Sequence, residues 1–252
     1  VVRLTHLLET SVGAWEQLAL SAAFYAQPWD PDAPVSGFVD TVPTPDGVVC
    51  DLYYQSGGMP PDPPPPPPPP EVDAGHLTAG TAGELLAIDF DGAHYGVDSR
   101  ATGDPAHPLP GWLVPGPIDL GFAGGGAADV PAFTAPAVLP SAPTILAPPP
   151  GPTPAPLEPD GTHLVAWQPG DATEVGVRLD FNLDWDNAVF ICHPPSGVTE
   201  LRLPHDWLTQ FTWGSGELTV EARNPTVAPP ASAYVALRPV RARRQSVYFE
   251  VW

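Results

Sequence analysis

Short stretches in which apolar and polar residues alternate with a period of two recur along the chain, separated by Gly, Pro, Asn and Asp. This alternation is typical of β-strands that turn one face to a core and the other to solvent. The clearest stretches lie late in the chain, at 163–168, 174–181, 187–193, 198–203, 217–223, 234–240 and 246–252. Seven short strands in about 90 residues predict an immunoglobulin-like β-sandwich.

The first half of the chain shows the same alternation less regularly. Apolar positions alternate with small or polar ones from Leu18 to Phe24, which favours a strand, although the Ala and Leu content leaves a helix over 13–26 open. Further strands are predicted at 47–54, 74–78, 84–90, 94–97, 117–122 and 130–134. These stretches predict a second, more irregular β domain.

Two proline-rich stretches divide this pattern. Pro63 to Pro70 is an unbroken run of prolines, which favours polyproline II over roughly 25 Å. We interpret it as a rigid spacer, because no flanking Arg or Lys orients it as a ligand of proline-binding domains. Residues 147–159 are about half proline and predict a linker. We therefore predict an all-β chain of two β-sandwich-like domains, with an irregular N-terminal domain at 1–146 and an immunoglobulin-like sandwich at 160–252.

Composition supports this fold class and excludes several functions. With 39 Pro and 24 Gly among 252 residues, the chain favours short elements joined by many turns. The net charge of −20 argues against nucleic acid as a partner, because phosphates require a positive surface. No stretch of 18 apolar residues occurs, so the sequence predicts no transmembrane helix.

The two cysteines, Cys50 and Cys192, lie far apart in the sequence and fit no metal-binding spacing. Each lies in an apolar run, so a disulfide between them and two separately buried thiols both fit the sequence. The chain contains no nucleophile-elbow motif, and its His residues show no paired metal-ligand spacing. We therefore expect a protein that is not an enzyme and needs no catalytic cofactor.

Calcium is the one ion for which the sequence offers candidate ligands. It binds six to eight oxygens, and the segment 180–187 supplies Asp180, Asp184 and Asp186 together with two Asn. The order of an EF-hand is missing, because no Gly stands at the sixth position and no Glu at the twelfth. An Asp- and Asn-rich hairpin turn is the alternative interpretation.

Three tryptophans, Trp185, Trp207 and Trp213, fall in predicted loops or at predicted strand ends. An exposed indole there stacks on a sugar ring or fills a pocket of a partner, whereas core packing is the alternative for each. Together with the carboxylates of 180–187, they motivate the hypothesis of a carbohydrate-binding or calcium-dependent recognition module.

Charge is distributed unevenly along the chain. The net charge is −15 over residues 1–156 and −5 over 157–252, and Arg238, Arg241, Arg243 and Arg244 fall within seven residues. This polarity favours head-to-tail contact between copies, the geometry that builds filaments, and the strand-like ends 1–8 and 246–252 offer edges to a neighbouring sheet. A patch satisfied within the molecule is the alternative interpretation of the four arginines.

Three segments carry a likeness to known proteins: Val72 to Gly75 after the proline run, His163 to Gly170 at the start of the second predicted domain, and Val189 to Cys192 within it. They resemble secreted or lipid-anchored surface proteins of myxobacterial type with a C-terminal immunoglobulin-like sandwich. The resemblance implies an extracellular or outer-surface location and implies no activity. Lipid-anchored members begin with Cys, where this chain has Val1, so either the anchor region is missing from the sequence or the protein is fully secreted.

Taken together, these features predict an extracellular structural or adhesive surface protein. Its expected partners are proteins, including copies of itself. Recognition of carbohydrate or calcium is the alternative function.

Overall fold

The computed structural model describes residues 2–9, 15–22, 38–56, 71, 73–81, 83–96, 98–124, 132–151, 154–157, 163–183, 186–203, 208, 213–228 and 235–250. Regular structure in these ranges is almost entirely β-strand, so the prediction of an all-β chain is confirmed. The strands in chain order are β1 (Val2–Glu9), β2 (Trp15–Ala22), β3 (Phe38–Pro43), β4 (Val49–Ser56), β5 (Leu77–Thr81), β6 (Glu84–Ile88), β7 (Asp98–Ala101), β8 (Gly116–Phe122), β9 (Phe133–Leu139), β10 (Thr144–Ala147), β11 (Ala155–Pro156), β12 (Leu164–Gln168), β13 (Glu174–Leu183), β14 (Asp186–Cys192), β15 (Glu200–Arg202), β16 (Trp213–Arg223), β17 (Thr226–Ala228) and β18 (Val235–Glu250).

The strands form one large sheet and two smaller ones. The large sheet has the order β3-β4-β14-β13-β16-β18-β1-β2-β7, and β11 and β17 also pair with β18. One smaller sheet has the order β6-β5-β8-β9 and the other the order β10-β12-β15. Most pairs are antiparallel, whereas β1 and β11 run parallel to β18.

Two hydrophobic cores lie on the same face of the large sheet. Residues in register share a face of a sheet, and so do residues two apart on one strand. Leu18 of the first core is in register with His6, which is in register with Arg241. Two residues further along β18, Arg243 is in register with Val220 of the second core. The large sheet is therefore a common base on which both cores are built.

Each smaller sheet covers one of these cores. The first core packs the β2 side chains against the four-stranded sheet, with Leu77, Leu86, Leu120 and Leu139 among its fully buried members. The second core packs the β13, β14 and β16 side chains against the three-stranded sheet, with Phe181, Phe190, Val165 and Trp167 among its members. Trp167 is thus buried in the same core as Cys192.

The large sheet crosses the boundaries predicted for the domains. Strands β3 and β4 precede the predicted linker, yet β4 pairs with β14. Cys50 and Leu52 of β4, together with Val48 just before it, belong to the second core. Strand β11 lies within the predicted linker 147–159 and pairs with β18. The domain division and the immunoglobulin-like topology stay predictions, and the proline run 63–70 lies outside the described residues.

Strand β18 is longer than its sequence suggests. Alternation predicts separate strands at 234–240 and 246–252, whereas β18 continues through the arginine-rich segment between them. It pairs with β16 from Val240 to Glu250 and with β1 from Leu237 to Arg244. Hydrogen bonds on both edges keep this segment extended, although its side chains are largely polar.

Close approach of two central strands requires Gly216. It faces Phe181 across the β13–β16 pair, and a Cβ atom at this position would overlap with the backbone carbonyl of Asp180. A side chain here therefore forces the two strands apart in the middle of the second core.

We expect Gly216→Ala to lower the free energy of unfolding by about 2–3 kcal/mol, because backbone must move to admit the methyl group. Urea denaturation measures this change. The matched control is Gly83→Ala in the exposed β5–β6 turn, where a Cβ meets no atom within 4 Å. The control should change stability by less than about 0.5 kcal/mol, and equal effects of the two substitutions would contradict the prediction.

Candidate functional site

The two strands closest to the ends of the described chain lie side by side in the interior of the large sheet. β1 and β18 pair in parallel from Val2 opposite Leu237 to Glu9 opposite Arg244. β2 covers the other edge of β1, and β16 covers the other edge of β18. Both strands are thus occupied on both edges. The structure gives no support to the idea that they add to the sheet of a neighbour.

Three polar side chains on β18 form hydrogen bonds between the large sheet and the segments that cover it. Arg241 donates a hydrogen bond to the carbonyl of Leu113 at 2.8 Å, and Arg243 donates one to the carbonyl of Pro143 at 2.9 Å. Gln245 donates one to the carbonyl of Pro148 at 2.8 Å. We call Arg241, Arg243 and Gln245 the β18 polar row. Alternation along the strand places all three on the face that carries both cores.

The polar row spans the junction between the two cores. The carbonyl of Leu113 belongs to the loop that precedes β8 of the four-stranded sheet, and Pro143 lies between β9 and β10. Pro148 follows β10 of the three-stranded sheet. One strand therefore holds segments from both covering sheets by hydrogen bonds to their main chain.

Arg241 is a buried cation, with only 7% of its surface exposed. Burial lowers the pKa of its guanidinium from the ordinary value, and the negative charges of Glu16 and Asp171 oppose this effect. Burying such a group is costly unless hydrogen bonds and opposite charges compensate for lost water. The carbonyl of Leu113 and the two carboxylates supply this compensation.

Three of the four clustered arginines have described contacts within the molecule. Arg241 and Arg243 bind main-chain carbonyls, and Arg244 contacts the carboxylate of Glu217 at 3.2 Å. For Arg238, only its place in the backbone of β18 is described. These contacts fit the interpretation of a patch satisfied within the molecule, and a role of the four arginines in partner binding stays a prediction.

Of the predicted calcium ligands, only Asp180 has a described side chain. It forms a two-point contact with Arg178, from Nε to Oδ2 at 2.8 Å and from Nη2 to Oδ1 at 2.6 Å. Asp184 lies outside the described residues, and only the backbone of Asp186 is described, opposite Leu183 where β13 and β14 join. In the part of the chain that the structure describes, no three His, Cys, Asp or Glu side chains group to hold a metal ion.

The predicted ligand-binding tryptophans fall largely beyond the described parts of the chain. Trp185 and Trp207 lie outside the described residues, and Trp213 is described only as the backbone at the start of β16. The carbohydrate-binding hypothesis therefore stays a prediction.

A disulfide joins Cys50 to Cys192, which stand opposite each other in the β4–β14 pair. Both sulfur-bearing side chains are fully buried in the second core, and they are 142 residues apart in the chain. Closing a loop of this size restricts the unfolded chain, an effect typically worth about 2–5 kcal/mol. The bond therefore ties a strand from the first quarter of the chain to the second core.

Two exposed loops share an arrangement that the sequence analysis missed. Asp91 and Asp104 each accept hydrogen bonds from the amides two and three residues later and contact the ring of the His at the third position. The sequence feature that identifies both loops is the repeated pattern Asp-x-Ala-His at 91–94 and 104–107. Backbone hydrogen bonds, led by the His94 amide for Asp91 and the Ala106 amide for Asp104, lower the pKa of both carboxyl groups.

Comparison of the chain with protein-family models, curated proteins and solved structures finds no match. The described residues contain no helix with the length and apolar character needed to cross a membrane.

We expect Arg241→Ala to lower the free energy of unfolding by about 1–3 kcal/mol, because the carbonyl of Leu113 loses the hydrogen bond from this buried side chain. Arg178→Ala is the matched control, since Arg178 is 47% exposed and pairs with Asp180 on the opposite face of the sheet. An exposed ion pair contributes about 0.5 kcal/mol. Urea denaturation of both variants tests the difference, and an Arg241 variant no less stable than the control would contradict it.

The two Asp-x-Ala-His loops also predict a pH dependence. A carboxyl group whose pKa is lowered by folding stabilises the native state above the ordinary value of 3.8, and this contribution is lost as pH falls through the lowered pKa. The double variant Asp91→Asn and Asp104→Asn should therefore lose less stability than the unmodified chain as the pH is lowered below 3.8. Urea denaturation over this range measures both slopes, and equal slopes would rule out the contribution.

Proposed function

We propose that the chain is an extracellular structural or adhesive surface protein that carries tensile load through the β1–β18 pair. The observation that carries this proposal is the parallel, adjacent placement of the two strands. In a parallel pair, the start of one strand and the end of the other lie at opposite ends. A force that separates Val2 from Glu250 therefore slides β1 along β18.

Sliding is the direction in which a strand pair resists force best. All hydrogen bonds along the shared stretch are loaded together, whereas force applied at one end of an antiparallel pair breaks them one after another. The shared stretch runs from Val2 to Glu9, and β2 and β16 bind the outer edges of the two strands. The load is thus shared by a continuous sheet.

Other features support the extracellular location. Disulfides persist mainly in oxidising compartments, and Cys50 is bonded to Cys192. The net charge of −20 keeps an exposed protein soluble and self-repelling in the absence of specific contacts. The resemblance of the sequence to surface proteins points to the same location.

Single-molecule force spectroscopy tests the proposed load-bearing role. One tether is attached at the two ends of the described chain, so that β1 and β18 are sheared. A second tether joins position 215, through Ser215→Cys, to the end of β18. Because Ser215 stands opposite Tyr248 in the antiparallel β16–β18 pair, this second tether unzips the pair from one end.

We expect a higher unfolding force in the shearing geometry than in the unzipping geometry. Reduction of the disulfide supplies an internal check. It allows the segment between the cysteines, which are 142 residues apart, to extend, so the fully extended chain becomes longer by roughly 470 Å. Equal forces in the two geometries would remove the proposed role.

A further inference from the structure

The hairpin formed by β3 and β4, residues 38–56, is a separate unit of the large sheet. Among the described strands, β3 pairs only with β4 at the end of the sheet, and β4 pairs with β14 from Cys50 opposite Cys192 to Ser56 opposite Asp186. Its buried apolar residues Val48, Cys50 and Leu52 all belong to the second core. The β3–β4 hairpin therefore completes a core whose other described members all come after residue 144.

The turn of the hairpin is formed by local contacts. The amide of Thr44 donates to the carbonyl of Val48 at 2.7 Å, and the amide of Gly47 donates to the carbonyl of Thr44 at 2.9 Å. The hydroxyl of Thr44 accepts a further hydrogen bond from the Val48 amide. These contacts all lie within the hairpin and involve no residue of the rest of the core.

Two further contacts attach the hairpin to the second core. Asp46 at its tip accepts hydrogen bonds of 2.6 Å from both the amide and the guanidinium of Arg202 on β15. The disulfide joins Cys50 to Cys192. The two partners of the hairpin, Arg202 and Cys192, lie more than 100 residues later in the chain. A second copy of the chain offers the same two residues.

Long connections separate the hairpin from the strands of the first core. Residues 23–37 join β2 to β3, and residues 57–70 join β4 to Glu71. Chains of this length reach at most about 46–54 Å. Judged by contour length alone, the hairpin can fill the second core of its own chain or that of a neighbour.

An empty second core would leave exposed apolar residues and a strand edge. Without the hairpin, β14 becomes the edge of the large sheet, and the core-facing side chains of Ala188 and Phe190 lose the cover of Leu52. An unpaired edge beside apolar side chains binds another strand readily. A second core that has released its own hairpin thus binds the hairpin of another copy through identical contacts.

We infer that the β3–β4 hairpin of one chain fills the second core of another copy, and that Cys50 of the first forms a disulfide with Cys192 of the second. This inference deepens the proposed structural role and rests on it. Passing each hairpin to the next copy is a heterologous contact, which extends into a filament unless it closes on itself.

The linkage itself is a balanced thiol–disulfide exchange. The thiols of Cys50 and Cys192 lose two protons and two electrons as their sulfur atoms bond. An external low-molecular-weight disulfide accepts both electrons and both protons and is released as two thiols. Each contact between copies then becomes a covalent link in the assembly.

The test uses the full chain in unlabelled and ¹⁵N-labelled form. Equal amounts are unfolded and reduced together, then refolded with oxidised glutathione at several protein concentrations. Digestion without reduction and mass spectrometry identify the isotopes of each peptide pair that contains Cys50 and Cys192. The Cys50→Ser variant, treated alone, measures nonspecific bonding between Cys192 residues.

Exchange of the hairpin predicts mixed-isotope Cys50–Cys192 pairs whose share rises with concentration towards half. The inference would be overturned if every Cys50–Cys192 pair contained a single isotope at all concentrations. It would also be overturned if mixed pairs were accompanied by equally frequent Cys50–Cys50 and Cys192–Cys192 bonds. Same-isotope pairs together with a strong response to shear would leave the load-bearing role standing. Mixed pairs without that response would remove the load-bearing role alone.

Discussion

The hydrogen bonding of β18 on both of its edges is the constraint on which the rest of the structure depends. β17 and β16 bind one edge in succession, and β1 and β11 bind the other. Because residues in register share a face, this one strand places both hydrophobic cores on the same side of the large sheet. Without it, the strands of the first core and those of the second would belong to separate sheets.

A strand that joins two cores must pass through the region where neither core covers it fully. The β18 polar row occupies this region, and its members meet main-chain carbonyls of the covering segments. A buried donor without a partner is costly, and the donors of Arg241, Arg243 and Gln245 reach these carbonyls together only when both covering sheets are correctly placed. The same hydrogen bonds therefore position the two smaller sheets relative to each other.

The β3–β4 hairpin adds a second constraint, which acts on the path of the chain. The chain contributes β2 to the first core, enters the second core as the hairpin, and returns to the first core around β5. A disulfide and the Asp46–Arg202 pair hold the excursion in place. These contacts join residues far apart in the sequence. They therefore stabilise a pairing that the local preferences of the sequence do not specify.

The sequence by itself determined the fold class and the positions of most strands, because a period of two is a local property of a strand with one buried face. The predicted stretches 84–90, 174–181 and 217–223 overlap β6, β13 and β16 for this reason. Alternation says nothing about which strand lies beside which. It therefore predicted neither the parallel pairing of β1 with β18 nor the pairing of β4 with β14.

Only the tertiary structure decided the continuity of β18 and the state of the cysteines. Residues 241–245 lack apolar alternation, and the carbonyls that their side chains bind lie about 100 residues or more away in the chain. Cys50 and Cys192 each read as a core residue, and their bond follows from the register of β4 against β14. The candidate site, formed by β1, β18 and its polar row, could be found only in the folded chain, because its contacts depend on residues brought together from distant parts of the sequence.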